Sequence, residues 1–388
     1  QGRPRPASTR PARPTTPQRG AWIPITGTID DGLAEHVQRR SAEAIAEGAT
    51  IIVFEFDSPG GALSSMQTIT RTLESLRESV LTVAWIPSDA ISAAALIALS
   101  CDYLAMRDGA RIGDAQPILM TSEGYQVGGE KIQGYMRSVV HSMAERNGYP
   151  RALVKAMITQ EIEVIEIAPH DPADWSLMDG SAFDSPYVDR REFEGWEHAE
   201  RFRVVRVVVR GADHRRVGHQ GNTMGTTIEQ GEIAVFTAAN ARQLGLAVED
   251  VATVEDLKRA FFLGSEYGAA PVRYYPITWV VDLARWLQSL SGLFIMIGLI
   301  GLYIEFKSPG FGLGGLLALI CFALYFSSSI VIGLADHVEV LLFLAGVALI
   351  LVEIFVLPGF GIAGILGMGL AFMALLLAGQ DFILPTTP

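Results

Sequence analysis

The chain has 388 residues, 49% of them hydrophobic, and a net charge of −12 at pH 7. This charge, without any basic stripe, argues against nucleic acid as the main partner, and two cysteines give neither a disulfide framework nor a zinc signature. The apolar residues are concentrated in the last hundred positions, which predicts a soluble part followed by a membrane part.

The N-terminal segment, residues 1–20, is rich in Pro, Arg and Thr and has no apolar periodicity. This composition predicts a disordered tail. Because the sequence begins with Gln1 rather than Met, we expect that an earlier segment preceded it. A cleaved signal peptide is one explanation and an artificial start point is the other.

Residues 21–165 alternate apolar runs with amphipathic segments. The runs predict strands at Trp22–Ile25, Thr50–Phe56, Val80–Ile86 and Cys101–Met106. The amphipathic segments predict helices at Asp31–Glu47, Ala62–Arg77, Ser92–Ser100 and Glu130–Asn147. This alternation predicts an α/β fold with a mostly parallel sheet, in which Pro24 places the first strand at an edge.

Residues 168–231 interrupt this pattern with an acidic, turn-rich stretch and with Arg/Val alternation at Arg201–Val209. We interpret them as an insertion with a small β structure, inside a domain that spans residues 21–275. Its role cannot be derived from the residues. Strand and helix patterning resumes at Phe236–Leu246 and Val254–Phe262.

Residues 276–388 are predicted to form an all-α membrane domain of about four transmembrane helices. The apolar stretches are Leu290–Ile304, Leu313–Leu334, Val338–Leu357 and Ile362–Ala378. A short pattern occurs twice, with Glu305 and Glu353 each followed by Pro-Gly-Phe-Gly. The repeat is either a tight helix–helix turn with a charge near the interface, or a duplicated hairpin whose glutamates face a cavity or an assembly surface. Lys307 favours a cytoplasmic loop there, which places the soluble domain outside.

Three features carry the chemistry of a Ser/Lys hydrolase. Ser92 follows an apolar strand at the start of a small-residue helix, where a hydroxyl can act as a nucleophile. Gly60 and Gly61 can turn backbone N–H groups toward a substrate carbonyl, and the Ala93 amide is another candidate donor for this oxyanion hole. Lys131 begins a helix with apolar residues, where burial would let a lysine act as a base. Lysine is rare in this chain, with only four among 30 basic residues.

Each feature alone is also typical of ordinary packing, turns or solvated helices. Asp89 and Asp114 lie near the predicted site and would either orient Lys131 or keep it protonated. His141 is a competing base, but it lies about 15 Å from Lys131 along the same predicted helix. Lys155 is a second alternative base. The histidines form no metal-ligand spacing, and no cofactor is expected.

The order and spacing of these residues resemble the membrane-bound serine proteases of the NfeD type, in the Clp protease/crotonase superfamily. The matching motifs are Phe54–Gly61, Ser92–Leu99, Ala110–Pro117, Lys131, Thr237–Leu246 and the repeated Pro-Gly-Phe-Gly hairpins. Signal peptide peptidase A is a more distant relative. The resemblance implies a Clp protease/crotonase-like spiral of β-β-α units, with Ser92 as nucleophile, Lys131 as general base and Gly60 and Gly61 in the oxyanion hole.

The resemblance further implies cleavage of apolar peptide segments in membrane-associated proteins, a stomatin-like membrane partner and self-association as a dimer or ring. We expect a multi-pass protein of the bacterial inner membrane, in contact with lipid, with its protease domain outside the cytoplasm. One alternative is an inert membrane scaffold or assembly factor with a protease-like fold. The other is a crotonase-type acyl-CoA enzyme, which shares the oxyanion glycines.

Overall fold

The computed structural model describes most of the chain. The described residues are 10–121, 124–160, 162–178, 183, 185–209, 233–277, 279–307, 312–332, 335, 337–356 and 361–378. They form two compact units, which are Gln1–Ile29 with Val37–Pro276, and Asp30–His36 with Ile277–Pro388.

The N-terminal region contains strands and helices in alternation, as its sequence pattern predicts. Its described strands are β1 (Gly20–Ile29), β2 (Ile51–Gly61), β3 (Leu81–Ile86), β4 (Asp89–Ile91), β5 (Tyr103–Met106), β6 (Arg111–Gly113), β7 (Ile118–Thr121), β8 (Gly124–Val127), β9 (Val164–Pro169), β10 (Tyr187–Asp189), β11 (Phe202–Val209), β12 (Val235–Thr237) and β13 (Arg273–Tyr274). Its described α-helices are α1 (Asp31–Ala46), α2 (Leu63–Leu76), α3 (Ala93–Ser100), α4 (Glu130–Asn147), α5 (Arg151–Ala156), α6 (Arg190–Glu194), α7 (Ala238–Gln243) and α8 (Val254–Ala260).

Two ladders of strands share β2. In the first, the parallel order is β13-β1-β2-β3-β5, and in the second the order is β2-β4-β6-β12, with β12 antiparallel to β6. Successive segments therefore give one strand to each ladder and then a helix, as in β3-β4-α3. The predicted α/β class and β-β-α repeat are confirmed.

The predicted edge position of the first strand is wrong, because β1 lies between β2 and β13. The physical reason is that β13 is short and pairs only with Ala21 and Trp22. Pro24, which has no N–H to donate, lies beyond that pairing and so does not interrupt it.

Burial explains why these strands are nearly continuous apolar runs. Helices cover the sheet, and the core between β1, β2, β3, β5 and α8 includes the residues Trp22, Ile51, Val53, Val83, Trp85, Tyr103, Leu257, Phe261 and Leu263. α2 buries Met66, Ile69, Leu73 and Leu76, whose spacing of three and four places them on one face of the helix.

The N-terminal segment differs from its predicted disorder between residues 10 and 20, and residues 1–9 lie outside the described part. The Arg10 guanidinium lies 5.0 Å from the centre of the Tyr103 ring, and the Tyr103 hydroxyl donates to the Pro11 carbonyl at 2.6 Å. The Gln18 N–H donates to the Phe262 carbonyl at 2.9 Å. Cation–π and hydrogen-bond contacts thus hold this segment against the strand and helix residues of the N-terminal region, although its composition predicts disorder.

The predicted insertion contains a small three-stranded antiparallel sheet in the order β10-β9-β11. It starts earlier than expected, because β9 begins at Val164. The sheet has its own aromatic and aliphatic core, made of Ile165, Ile167, Met178, Phe183, Val188, Phe193 and Phe202. The last part of the predicted insertion, residues 210–231, lies outside the described residues.

In the second unit the described helices are α9 (Trp279–Ser289), α10 (Ser291–Lys307), α11 (Leu313–Val331), α12 (His337–Phe355) and α13 (Ile362–Leu377). Each of the four predicted apolar stretches therefore contains a helix in its described part. Among the described residues, α11 alone is long and apolar enough to cross a membrane, and α9 with α10 would count as a second span broken by a 63° bend. The prediction of about four spans stays a prediction.

The repeated glutamates bind the backbone of the helix that follows each of them. The Glu305 carboxylate accepts from the Gly315 N–H at 3.1 Å. The Glu353 carboxylate accepts from Gly361 at 2.7 Å and from Gly364 at 3.3 Å. These contacts favour the tight-turn interpretation, because a carboxylate at a helix N-terminus satisfies free N–H groups and opposes the helix dipole. The Pro-Gly-Phe residues of both copies lie outside the described residues.

Candidate active site

Ser92 occupies a strained turn between β4 and α3. Its backbone has φ 57° and ψ −126°, in the left-handed half of conformational space that non-glycine residues avoid. Such a conformation costs about 1–3 kcal/mol and persists only where the surrounding structure imposes it. Here the Ser92 N–H donates to the Gly113 carbonyl at 2.9 Å, which fixes the turn against the end of β6.

The helix that follows Ser92 is buried along its whole length. Every residue of α3 is buried, whereas Ser92 itself is half-buried. The first N–H groups of a helix have no partner within the helix, so the Ala93 amide is a donor next to the Ser92 hydroxyl. A strained serine at a strand-to-helix turn is also the arrangement that presents the nucleophile of α/β-hydrolases.

Gly60 packs directly against Ser92. A Cβ built on Gly60 would lie 2.5 Å from the Ser92 Cβ and 3.0 Å from the Ser92 Oγ, and φ is +105° at Gly60. The Gly60 N–H donates to the Ser58 Oγ at 3.1 Å. Gly60 is thus brought to the site as predicted, but its amide already has a partner, which weakens its predicted role as an oxyanion donor.

Gly61 presents its amide differently. It pairs with Ile29 of β1, and the Ala62 N–H donates to the Ile29 carbonyl at 2.8 Å. Because alternate residues of a strand point their N–H groups to opposite sides, the Gly61 N–H points away from β1. The side of β2 opposite β1 is where β4 pairs, through Ser58 and Ala90. Gly61 and Ala93 are therefore the better-placed pair of predicted oxyanion donors.

Lys131 does not lie in the apolar environment that the sequence predicts for it. It lies in the first turn of α4 and is exposed, and no hydrogen bond joins it to Ser92. The buried face of α4 begins only at Met136 and continues through Val140 and Met143. The structure thus packs Gly60 against Ser92, places the Ala93 amide next to it in the chain, and leaves Lys131 in solvent.

Asp89 has a partner that the sequence analysis did not identify. The Arg111 guanidinium binds the Asp89 carboxylate with both Nε and Nη2, at 2.8 and 2.7 Å. These residues are register partners on β4 and β6, so the ion pair clamps the strand that leads into Ser92. Asp114 is exposed, with φ 47°. Neither carboxylate forms an ion pair with Lys131.

The alternative bases are engaged elsewhere. The Lys155 ammonium lies 3.1 Å from Asp189 and 2.9 Å from Glu192. Burial lowers its pKa, but the hydrogen bonds and charges of these carboxylates outweigh burial and raise it, which opposes a role as a base. The His141 Nε2 lies 3.3 Å from Glu145 of its own helix. In the described part of the chain, no three His, Cys, Asp or Glu side chains are placed to bind a metal ion.

Ser58 is a site residue that the sequence analysis passed over. It is 1% exposed, accepts the Gly60 N–H, and supplies the single described pairing between β2 and β4. Its position two residues before Gly60 could have identified it, because a serine hydroxyl commonly accepts a hydrogen bond from the backbone N–H two residues later.

Two regions of the chain match domains of known protein families. Residues 20–191 match the family described as NfeD1b, N-terminal domain, and residues 289–387 match the NfeD integral membrane domain. The membrane protein NfeD1b of Bacillus subtilis is 27% identical over 363 residues, which are 93% of this chain and 67% of that protein.

Two further similarities involve proteases. The membrane-bound protease PH1510 of Pyrococcus horikoshii is 28% identical over 147 residues, which are 36% of this chain and only 32% of that protein. A solved variant of the 1510-N membrane-bound stomatin-specific protease is 15% identical, with a TM-score of 0.43 over 67% of this chain and 99% of that one.

The two matched regions carry the same family name and lie in the two parts of the chain that the sequence separated. The second is an integral membrane domain, which makes this a membrane protein. The chain thus carries regions that match both domain types of the NfeD family, the N-terminal domain first and the integral membrane domain after it.

Proposed function

We propose that the chain is a membrane-anchored serine endopeptidase with Ser92 as its nucleophile. The Ser92 Oγ would attack the scissile carbonyl carbon and give a tetrahedral intermediate, whose oxyanion accepts from the Gly61 and Ala93 amides. Collapse of the intermediate breaks the C–N bond, and the leaving amine takes up the proton that came from Ser92. Water then hydrolyses the acyl-enzyme and regenerates the hydroxyl.

The conformation of Ser92 is the observation that carries this proposal. A strained non-glycine residue at a strand-to-helix turn costs stability, and such strain is concentrated at active sites. Gly60 packs so closely against Ser92 that a side chain on residue 60 would not fit beside it. A serine that served packing alone would need neither feature.

Lys131 is the proposed general base, and its exposure sets a condition on that role. A lysine acts as a base only when it is removed from water and loses its proton. We therefore propose that substrate binding closes the start of α4, and the β7–β8 hairpin before it, over Ser92. This closure would desolvate the Lys131 amine beside the hydroxyl.

The relatives support the proposed substrate class. One relative is named as a membrane-bound protease and one similar structure as a stomatin-specific protease. By this similarity we propose that the chain cleaves apolar segments of membrane-associated proteins, with a stomatin-like protein as partner and substrate. We further propose a homo-oligomer in contact with lipid of a bacterial inner membrane, with the protease domain outside the cytoplasm.

The test is labelling of the detergent-solubilised chain with a serine-directed fluorophosphonate. We expect wild type to be labelled and Ser92→Ala and Lys131→Ala to lose the label. The matched controls are Ser88→Ala, in the turn before β4, and Lys155→Ala, both of which should keep it. Labelling that survives Ser92→Ala, or is lost equally in Ser88→Ala, would refute the assignment.

A second candidate function is an inert membrane scaffold with a protease-like fold. The exposure of Lys131 and its lack of a hydrogen bond to Ser92 favour this alternative. It predicts no labelling of a folded wild-type chain, even in the presence of an apolar peptide, and full complementation of a deletion strain by Ser92→Ala.

A further inference from the structure

The helix α9, directly before the integral membrane domain, has an apolar stripe that faces away from the protein. Trp279, Leu283 and Trp286 are 71%, 42% and 60% exposed. Their spacing of four and three residues places them on one face, and the exposed Val280 lies beside them. At about 100° per residue, this face covers an arc of about 120°.

The opposite face of α9 is occupied by protein. Val281 and Ala284 are buried. The Arg285 Nε donates to Asp30 at 2.9 Å, and the Gln288 Oε1 accepts from the hydroxyls of Ser328 and Ser329 at 3.1 and 3.2 Å. The helix is therefore fixed in rotation, and its tryptophans cannot turn inward without breaking these contacts.

The position of α9 follows from the same bonds. Ser328 and Ser329 lie in the last turn of α11. This helix runs antiparallel to α10, because Gly301 lies against Gly314 whereas the earlier Gly298 lies against the later Phe322. Gln288 lies one turn before the start of α10. The end of α11 and the start of α10 are at the same end of this helical hairpin, so α9 crosses that end. It meets α10 at a bend of 63°.

We propose that α9 lies in the headgroup region of the bilayer, with Trp279, Leu283 and Trp286 inserted among the lipids. Three observations select phospholipid as the occupant. The stripe continues directly into the integral membrane domain, which starts at residue 289. Tryptophan is enriched at membrane interfaces, where its ring is apolar and its N–H reaches polar groups. The polar edge of the helix carries Asp282, which the bilayer centre would exclude.

This placement accounts for the bend. α10 has 17 residues and a length of about 25 Å, which is close to the hydrocarbon thickness by itself. An added α9 of 11 residues in line with it would project about 16 Å beyond α10 and hold Trp279 outside the hydrocarbon. A helix in the interface plane instead buries its apolar face by about 5–10 Å and leaves its polar edge in water.

The test uses the full chain in phosphatidylcholine vesicles with lipids brominated either near the headgroup or near the acyl terminus. Bromine quenches tryptophan on contact. We expect the shallow lipid to quench more than the deep lipid, and this excess to disappear in Trp279→Phe/Trp286→Phe. The control Trp175→Phe/Trp196→Phe changes two tryptophans of the small antiparallel subdomain and should retain the excess.

A second measurement stays informative if the double variant folds poorly. The two native cysteines are buried, so one added cysteine is the reactive one. We expect a water-soluble maleimide to label Asp282→Cys faster than Leu283→Cys in vesicles, and at similar rates after denaturation in SDS. Equal labelling in vesicles, or stronger quenching by the deep lipid, would overturn the interfacial position.

Discussion

Gly60 packs against Ser92 at a separation that leaves no room for a side chain on residue 60. The hypothetical Cβ of residue 60 would overlap the Ser92 Cβ at 2.5 Å, and the carbonyl of Ile91 lies 3.0 Å away. A glycine is needed here both for its positive φ and for its missing side chain. The contact links the glycine loop of β2 to the strained turn after β4, which carries the proposed nucleophile.

Gly60→Ala should therefore reduce fluorophosphonate labelling of Ser92 by about 100-fold, because a displacement of about 1 Å at a reacting group has that effect. Gly109→Ala is the matched control. Gly109 also has a positive φ, of +87°, but nothing lies within 4 Å of its hypothetical Cβ. The control should lose about 1 kcal/mol of stability and keep its labelling rate. Equal rates in the two variants would remove Gly60 from the site.

Ser58→Ala removes the acceptor of the Gly60 N–H. Leaving this buried amide without a partner should cost about 1–3 kcal/mol and slow the labelling of Ser92. The control Ser64→Ala, in the first turn of α2, should change the free energy of unfolding by no more than about 0.5 kcal/mol. It should leave the labelling rate of Ser92 nearly unchanged. Thermal unfolding in detergent and labelling time courses measure the two effects. A Ser58→Ala variant with wild-type labelling would show that the hydrogen bond does not shape the site.

Lys155 should stabilise the fold without taking part in labelling. Its raised pKa means that the folded state holds the proton more tightly, so the stabilisation is present below the ordinary lysine value of 10.5 and is lost as the pH rises through the raised pKa. Because the group is partly solvated, the gain is about 0.5–1 kcal/mol. Lys155→Met should melt below wild type at pH 8, with the gap narrowing above pH 10.5. A gap that is constant with pH would place the effect in packing instead.

The two hairpin glutamates should differ in their contribution to stability. Glu353 accepts from two backbone amides and Glu305 from one. We expect losses of about 2 and 1 kcal/mol for Glu353→Ala and Glu305→Ala, in line with the usual value of a helix cap. SDS titration of the protein in mixed micelles measures this. Glu→Gln at either position keeps an oxygen acceptor and should lose less, unless the charge contributes most of the effect.

The sequence predicted the regular parts of the fold well. α4 has the bounds Glu130–Asn147 that its pattern indicates, and its cap Gly148 has the left-handed conformation typical of helix ends. Short strands were missed. β4 and β6 have three residues each, too few for a period to be visible. α9 was missed because its exposed apolar residues lie directly before the first apolar stretch, so the segment was interpreted as the irregular start of the membrane part.

The candidate site was predicted in part, for a physical reason. The turn at Ser92 and the glycines follow from local conformational preferences, which a sequence displays directly. The environment of Lys131 depends on where along α4 the buried face begins. The first buried residue of the helix is Met136, more than one turn after Lys131. Helical periodicity identifies the face on which a residue lies, but not the point along the helix where packing starts.

Under the proposed function, the left-handed backbone at Ser92 sets the stability of this chain against its activity. Glycine tolerates φ 57° without strain, so Ser92→Gly is expected to melt above wild type while it loses the proposed nucleophile. Selection for thermostability alone would then favour a chain without the proposed nucleophile, so a laboratory evolution experiment would need to score labelling and melting temperature together. If a serine is kept at this position although glycine would be more stable, the hydroxyl is the feature that selection retains.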